Sequence, residues 1–259
     1  MEIHFIRNAT MVMHYAGRTI LGDPMFGDVA SWMPIMNWPS PTVPLPVPIE
    51  EILASVEAAL VTHTHLDHFD REAWEAMDKT LPIFGQPADD EVFREKGFAD
   101  VRSIDRSLAW EHITVERVGG THGLPPIDGG PVSGYVLRAE GEPTVYWCGD
   151  TILDDEVRAT IARVEPDVII THSGGVLAYS DGGPATMDAP QTIEVAGLAP
   201  AAVIVAIHLE ALSHCSVSRP ALRRIADNAG VSADRLRIPR DGERLVLELP
   251  PVHGAGRPA

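Results

Sequence analysis

Short runs of alternating apolar and polar positions are interleaved with longer runs of helical period along the whole chain. Met1 to about Pro24 reads as strands, with AGR (Ala16–Arg18) as a turn. From Trp32 to Glu51 repeated prolines exclude a helix or a central strand through most of the segment. Its tryptophans and methionines are too apolar for a plain linker. Two readings stay open: a surface loop packed by its own side chains, or a loop forming one wall of a pocket. EEILASVEA (Glu50–Ala58) has a helical pattern, and AALVTH then reads as a short buried strand. Asp70 is placed to N-cap a helix over Arg71–Met77, with Glu72 in its first turn. LPIFGQ predicts a strand, ADDEVFREKG a short helix stopped by Gly97, and HITVERVGG a strand ending in glycine.

The second half repeats this vocabulary. VSGYVLRA, PTVYWCGD, DVIITHSGG, AAVIVAIH and ERLVLEL predict strands. DDEVRATIARV, APQTIEVAGL and RPALRRIADNAG predict helices, the last with Pro220 in its first turn and Gly230 at its end. No boundary linker separates the halves, so one α/β domain is expected over residues 1–250, with helices covering sheet faces. Residues 251–259 are expected as a loose tail.

Composition narrows the class. With 259 residues, 45% apolar and 22% charged, the chain can bury a substantial core. The formal net charge of −17 repels phosphate backbones and speaks against nucleic acid as a partner. The two cysteines, Cys148 and Cys215, form no CxxC motif. There is no apolar window of membrane-spanning length, and MEIHFIRNAT does not resemble a signal peptide. The expectation is a cytoplasmic protein with no membrane partner. The apolar segment Trp32–Ile49 leaves room for a homo-oligomer.

The chemistry concentrates in THTHLDHFD (Thr62–Asp70). His63 and His65 lie two apart at a strand end, so both imidazoles can point the same way. Asp67 and His68 follow on the turn before the helix. Imidazole and carboxylate are ligands of zinc and related divalent ions. A polar loop of satisfied histidines is the bland alternative. Further candidates each end a predicted strand: His122 in VGGTHG, Asp150 in YWCGDT and His208 in AAVIVAIH. An aspartate between them in sequence can bridge two ions.

HTHLDH followed by His122, Asp150 and His208 in that order resembles the metallo-β-lactamase superfamily, over nearly the whole chain. RNATMVMHYAGRTILGDP, GGTHG, GPVSGYV, CGDT and HLEALSHC are most similar to the branch containing L-ascorbate-6-phosphate lactonase. The resemblance implies a four-layer αββα sandwich with the metal site at one edge. It implies that His63, His65 and His122 hold a first ion, that Asp67, His68 and His208 hold a second, and that Asp150 bridges. One or two ions, zinc or manganese, are expected. Metal lowers the pKa of bound water to about 7, so hydroxide is available for hydrolysis, with Asp67 orienting it or moving its proton. The expected substrate is a small lactone or other ester, free or phosphorylated. A phosphodiesterase-type reaction is one alternative. A metal-binding or scaffold protein without turnover is another, from a different class, and it would bind metal yet hydrolyse nothing.

Other residues carry competing readings. His172, in IITHSGG, is either a capped strand end or a substrate contact. His214, six residues past His208, is either a substrate contact or a competitor for the metal. Asp23, in LGDP, either accepts a hydrogen bond from a ligand histidine or serves the Asp-Pro turn. Cys148 and Cys215 read as small buried thiols. Ser173 lacks the GxSxG surroundings of a nucleophile elbow.

Overall fold

The computed structural model describes residues 1–32, 39–124, 129–177 and 183–248. The tail at 251–259, with His253, and residues 33–38 of the proline-rich segment lie outside the described residues.

Period-two alternation sorts the side chains of each strand into two faces, and that sorting builds the layers. The first half supplies β1 (Glu2–Arg7), β2 (Thr10–Tyr15), β3 (Arg18–Gly22), β4 (Ala58–Leu60), β5 (Ile83–Gly85) and β6 (Val101–Ser103). With β14 (Arg244–Val246) they form one sheet in the order β14-β1-β2-β3-β4-β5-β6. The second sheet contains β7 (Ser107–Trp110), β8 (Ile113–Val118), β9 (Gly134–Arg138), β10 (Val145–Trp147), β11 (Val168–His172), β12 (Val203–Ile207) and β13 (Leu236–Arg237). Its order is β13-β12-β11-β10-β9-β8-β7.

Phe5, Met11, Met13, Tyr15 and Leu60 point inward from the first sheet and meet Val115, Tyr135, Trp147, Ile170 and Val205 from the second. Neighbouring residues such as Ile6, Val12 and Val61 point outward. Helices α1 (Ile49–Leu53), α2 (Arg71–Ala76) and α3 (Asp90–Glu95) cover that face with Ile52, Ala73 and Phe93. On the other side α4 (Asp155–Val164), α5 (Ala189–Leu198) and α6 (Arg219–Asn228) cover Val136, Tyr146, Ile169 and Ile204 with Val157, Val195 and Leu222. The result is the αββα sandwich. Asp70, Asp154, Asp188 and Ser218 cap their helices by accepting a backbone N–H three residues on, each cap contributing about 1 kcal/mol.

The elements depart from expectation at specific points. The helix predicted over Glu50–Ala58 stops at Leu53. Beyond it the chain turns so that Glu57 accepts from Thr19 N at 2.9 Å and from Arg18 Nη1 at 2.8 Å. ADDEVFREKG begins as a 3-10 turn at Pro87–Asp89 before becoming α3. Three short strands, β6, β7 and β13, have no counterpart in the pattern reading. Among the described residues no helix is long and apolar enough to cross a membrane.

Strands β3, β4, β5 and β6 run parallel, as do β10, β11, β12 and β13. Strand β8 reaches the same direction as β10 through two antiparallel pairings. Loops leaving the carboxyl ends of parallel strands gather at one edge, where such sheets carry their sites.

Candidate metal centre

From β4 the chain runs straight into THTHLDHFD. His68 N and Phe69 N both donate to His65 O, at 2.9 and 2.8 Å, closing a tight turn. That turn presents His63, His65, Asp67 and His68 to the same edge. His63 Nε2 and His65 Nδ1 lie 2.9 Å apart. The far sheet adds one residue per strand end. His122 follows β8, Asp150 follows β10, His172 ends β11 and His208 follows β12.

Two groups of ligand atoms form, each within 4.8 Å: His63, His65 and His122, and His68, Asp150, His172 and His208. Asp150 lies between them. Its Oδ2 is 3.2 Å from His68 Nε2 and 3.8 Å from His122 Nε2, and its Oδ1 is 3.6 Å from His208 Nε2. Asp67 Oδ2 sits 3.4 Å from His208 Nε2, 3.5 Å from His214 Nε2 and 3.9 Å from His68 Nε2.

The supporting contacts fix these rings. Asp23 Oδ2 accepts from His68 Nδ1 at 2.8 Å, and its two oxygens also take the Thr62 N–H and hydroxyl. His122 Nδ1 donates to Ala185 O at 2.9 Å. Gly129 lies so close to the His122 ring that a Cβ there would fall 2.0 Å from its Cδ2. Gly149, at φ +68°, lets β10 turn sharply just before Asp150. His208 has φ 55° and donates its backbone N–H to Asn8 O at 2.7 Å. Asn8, itself at φ 59°, donates Nδ2 to Asp67 O at 2.9 Å. One asparagine therefore staples the near turn to the end of β12. Pattern reading gave Asn8 no such role; its signal was a polar residue set between two buried strands.

A family model described as the beta-lactamase superfamily domain matches residues 18–209. The chain belongs to the metallo-β-lactamase superfamily. It is 34% identical over 253 residues to the UPF0173 protein YddR of Bacillus subtilis, covering 94% of this chain and 98% of that one. A UPF0173 metal-dependent hydrolase of Methanocorpusculum labreanum is 27% identical over 215 residues, 79% of this chain and 90% of the relative. Among solved structures, a possible metal-dependent hydrolase from Veillonella parvula superposes with TM-score 0.92 at 31% identity, covering 95% of this chain and 99% of that one. An isothiocyanate hydrolase from Delia radicum gut bacteria superposes with TM-score 0.91 at 31% identity, covering 96% and 100%. The relatives place the chain among metal-dependent hydrolases.

In this superfamily fold the donor set fits a divalent ion on its own chemistry. His68 Nε2 and His208 Nε2 are buried and make no hydrogen bond, although carboxylate oxygens of Asp150 and Asp67 stand nearby. A buried polar atom without a partner is costly, and two of them converging on the same carboxylates suit a shared cation. Burial, reinforced by the neighbouring His68, holds His63 well below its ordinary pKa, so its neutral ring keeps one nitrogen lone pair to offer. Burial opposes a charge on His68, but the carboxylates of Asp150, Asp67 and Asp23 outweigh it and raise its pKa to about 10. The second group thus retains a proton where it lacks an ion. The identity of the ion does not follow from imidazole and carboxylate donors alone.

His172 is buried behind Asp150 with both ring nitrogens engaged, so it offers no surface to a substrate. His214 stands in front, beside Asp67 and 6.3 Å from the Trp32 ring. Asp23 lies behind His68, where its contact serves a candidate ligand. Cys148 is buried, and Cys215 Sγ is 3.5 Å from His208 Nδ1.

Proposed function

We propose that the chain hydrolyses a small, uncharged molecule with an electrophilic carbon, a lactone or other ester being the favoured class. The observation that carries this reading is the convergence of His68 Nε2 and His208 Nε2, both without hydrogen bonds, on the carboxylate of Asp150. His63, His65 and His122 would hold one ion; Asp67, His68 and His208 would hold a second; Asp150 would lie between. When bound, such ions lower the pKa of coordinated water toward about 7 and polarise the substrate's reacting bond.

The chain's own groups do the rest. Asp67 Oδ2 is placed to take the proton of the attacking water, and His214 Nε2, 3.5 Å away, is placed to pass it outward. Among the described residues no lysine or arginine pairs with Asp67, Asp150 or Asp23, so the metals would be the main positive charge met by a substrate. That favours a neutral substrate over a phosphorylated one. Leu66, Leu124 and Leu177 are 50%, 52% and 43% exposed. Leu66 stands between His65 and Asp67, Leu124 two residues past His122, and the Leu177 backbone N–H bonds His214 O. Exposed leucines on the segments that carry the ligands suit an apolar tail.

A second reading has its own support in the likeness to the isothiocyanate hydrolase. Isothiocyanates are also neutral, with an electrophilic carbon and an apolar tail, and water converts them to an amine and carbonyl sulfide. The test is a panel of lactones, simple esters, isothiocyanates and phosphodiesters offered to protein loaded with zinc or manganese, with His63→Ala as control. Turnover of a neutral class, lost in the variant, is the expected result. Turnover of phosphodiesters alone would overturn the choice of substrate. Metal uptake with silence across the panel would favour a binding protein.

A further inference from the structure

Proximity alone makes His172 look like a metal ligand, since its nitrogen falls in the same group as those of His68, Asp150 and His208. Its hydrogen bonds say otherwise. The indole Nε1–H of Trp147 lies 2.9 Å from His172 Nε2. An indole nitrogen can only donate, so His172 Nε2 must accept. A neutral imidazole that accepts at one nitrogen carries its proton on the other. That proton, on Nδ1, faces Asp150 Oδ1 at 2.6 Å. Neither nitrogen has a lone pair left for an ion.

The donor that sets this arrangement cannot drift. Trp147 is buried between the sheets, and a Cβ on Gly22 of the opposite sheet would come within 2.8 Å of its Cη2. Trp147 pairs in register with Ile170, two residues before His172, so indole and imidazole project from adjacent strands on one face. The ring of His172 stacks at 5.5 Å on His68 and at 5.2 Å on His208.

We propose that His172 is a positioning residue: it relays the fixed orientation of Trp147 to Asp150, pinning Oδ1 so that Oδ2 faces His68 and His122. This rests on the metal-centre reading above. The relay makes the sandwich core, rather than the surrounding loops, responsible for the angle of the bridging carboxylate. It also excludes His172 from the ligand set and from the substrate's surroundings.

The experiment uses the full chain with ¹⁵N-labelled histidine, metal-free and loaded with ¹¹³Cd, together with metal-binding titrations of His172→Asn, His172→Ala and Trp147→Phe. The expected spectrum shows His172 protonated at Nδ1 in both states, with no cadmium coupling to either of its nitrogens. Asparagine places an amide N–H near the position of Nδ1, so His172→Asn should keep metal affinity within about threefold of the parent. His172→Ala should lose about 10–100-fold, the usual cost of removing a partner behind a ligand. Trp147→Phe keeps an aromatic side chain, though a smaller one, and removes the donor; Asp150 still holds the proton on Nδ1, so the change should appear as a shift of the His172 Nε2 resonance. Cadmium coupling to His172, or His172→Asn binding as weakly as His172→Ala, would overturn the proposal. So would His172→Ala binding as tightly as the parent. Parent protein that takes up no metal would overturn the metal-centre reading and this inference together.

Discussion

The two halves of the metal centre are built in opposite ways. On the first sheet, four candidate ligands come from one tight turn, and their mutual geometry is set by the bonds from His68 N and Phe69 N to His65 O. On the second sheet, each candidate comes from a different strand end, so its position depends on sheet register and on neighbours such as Gly129, Gly149 and Trp147. The near half is a local structure held by its own backbone. The far half is a product of the whole sheet. Where ligands belong to one turn, an ion can stiffen the segment that binds it; where they belong to three separate strands, the fold has already paid the ordering cost.

Removing the metal is therefore the largest perturbation and should act unevenly. An ion present at about 1,000 times its Kd stabilises by about 4 kcal/mol. Dialysis against a chelator should lower Tm by on the order of 10 °C. Hydrogen exchange should rise more in Thr62–Phe69 than in Trp147–Asp150, and equal rises in both would break the comparison.

Next in size comes Asp70, which lies inside the motif yet serves only structure. Its carboxylate accepts from Ala73 N, Phe26 N and Gly27 N. Asp70→Ala should cost about 3 kcal/mol in urea unfolding, from a lost cap and two stranded N–H groups. A loss below about 1 kcal/mol would show that the near turn does not need this anchor.

Asp23→Asn and Gly129→Ala set the halves directly against each other. The first replaces the carboxylate that orients His68, and metal binding should weaken about 10–100-fold by calorimetry. The second adds a methyl group against the His122 ring, and its effect should be near the lower end of that range because one ring can shift. A larger loss from Gly129→Ala would mean that the far half is the less adaptable one. The smallest effect is expected at Leu66, which is half exposed. Leu66→Ser should change stability by less than about 0.5 kcal/mol. It should raise KM for an apolar-tailed substrate about fivefold while leaving kcat unchanged. A fall in kcat instead would place Leu66 against the reacting atoms.

The same contrast explains what could be read from the chain. Spacing alone singled out the histidines and Asp67 of the near turn, because strand periodicity and a following cap are local properties. The later positions could be nominated as strand ends, but their pairing needed a resemblance to known sequences. The relay from Trp147 through His172 to Asp150 was hidden, since it depends on which strand lies beside which. Among the secondary elements, long buried strands and capped helices were legible. Strand β6 (VRS) is short and charged, and the two residues of β13 have too little pattern to register against their neighbours. The truncation of α1 was hidden because its cause, Glu57 reaching back to Thr19, is a tertiary contact.

Strand β1 lies between β2 and β14, pairing Glu2, Ile3 and His4 with Val246, Leu245 and Arg244. During synthesis at about 5–20 residues per second, one flank of β1 must wait roughly 10–50 s for its partner to leave the ribosome. Throughout that interval the strand presents a row of open hydrogen-bonding groups to other chains. The first sheet can assemble early through β2 to β6, but it closes only when residues 244–246 arrive. The vulnerable window of this protein is thus set by the order of its strands along the message, and slowing translation late in the coding sequence should increase its aggregation.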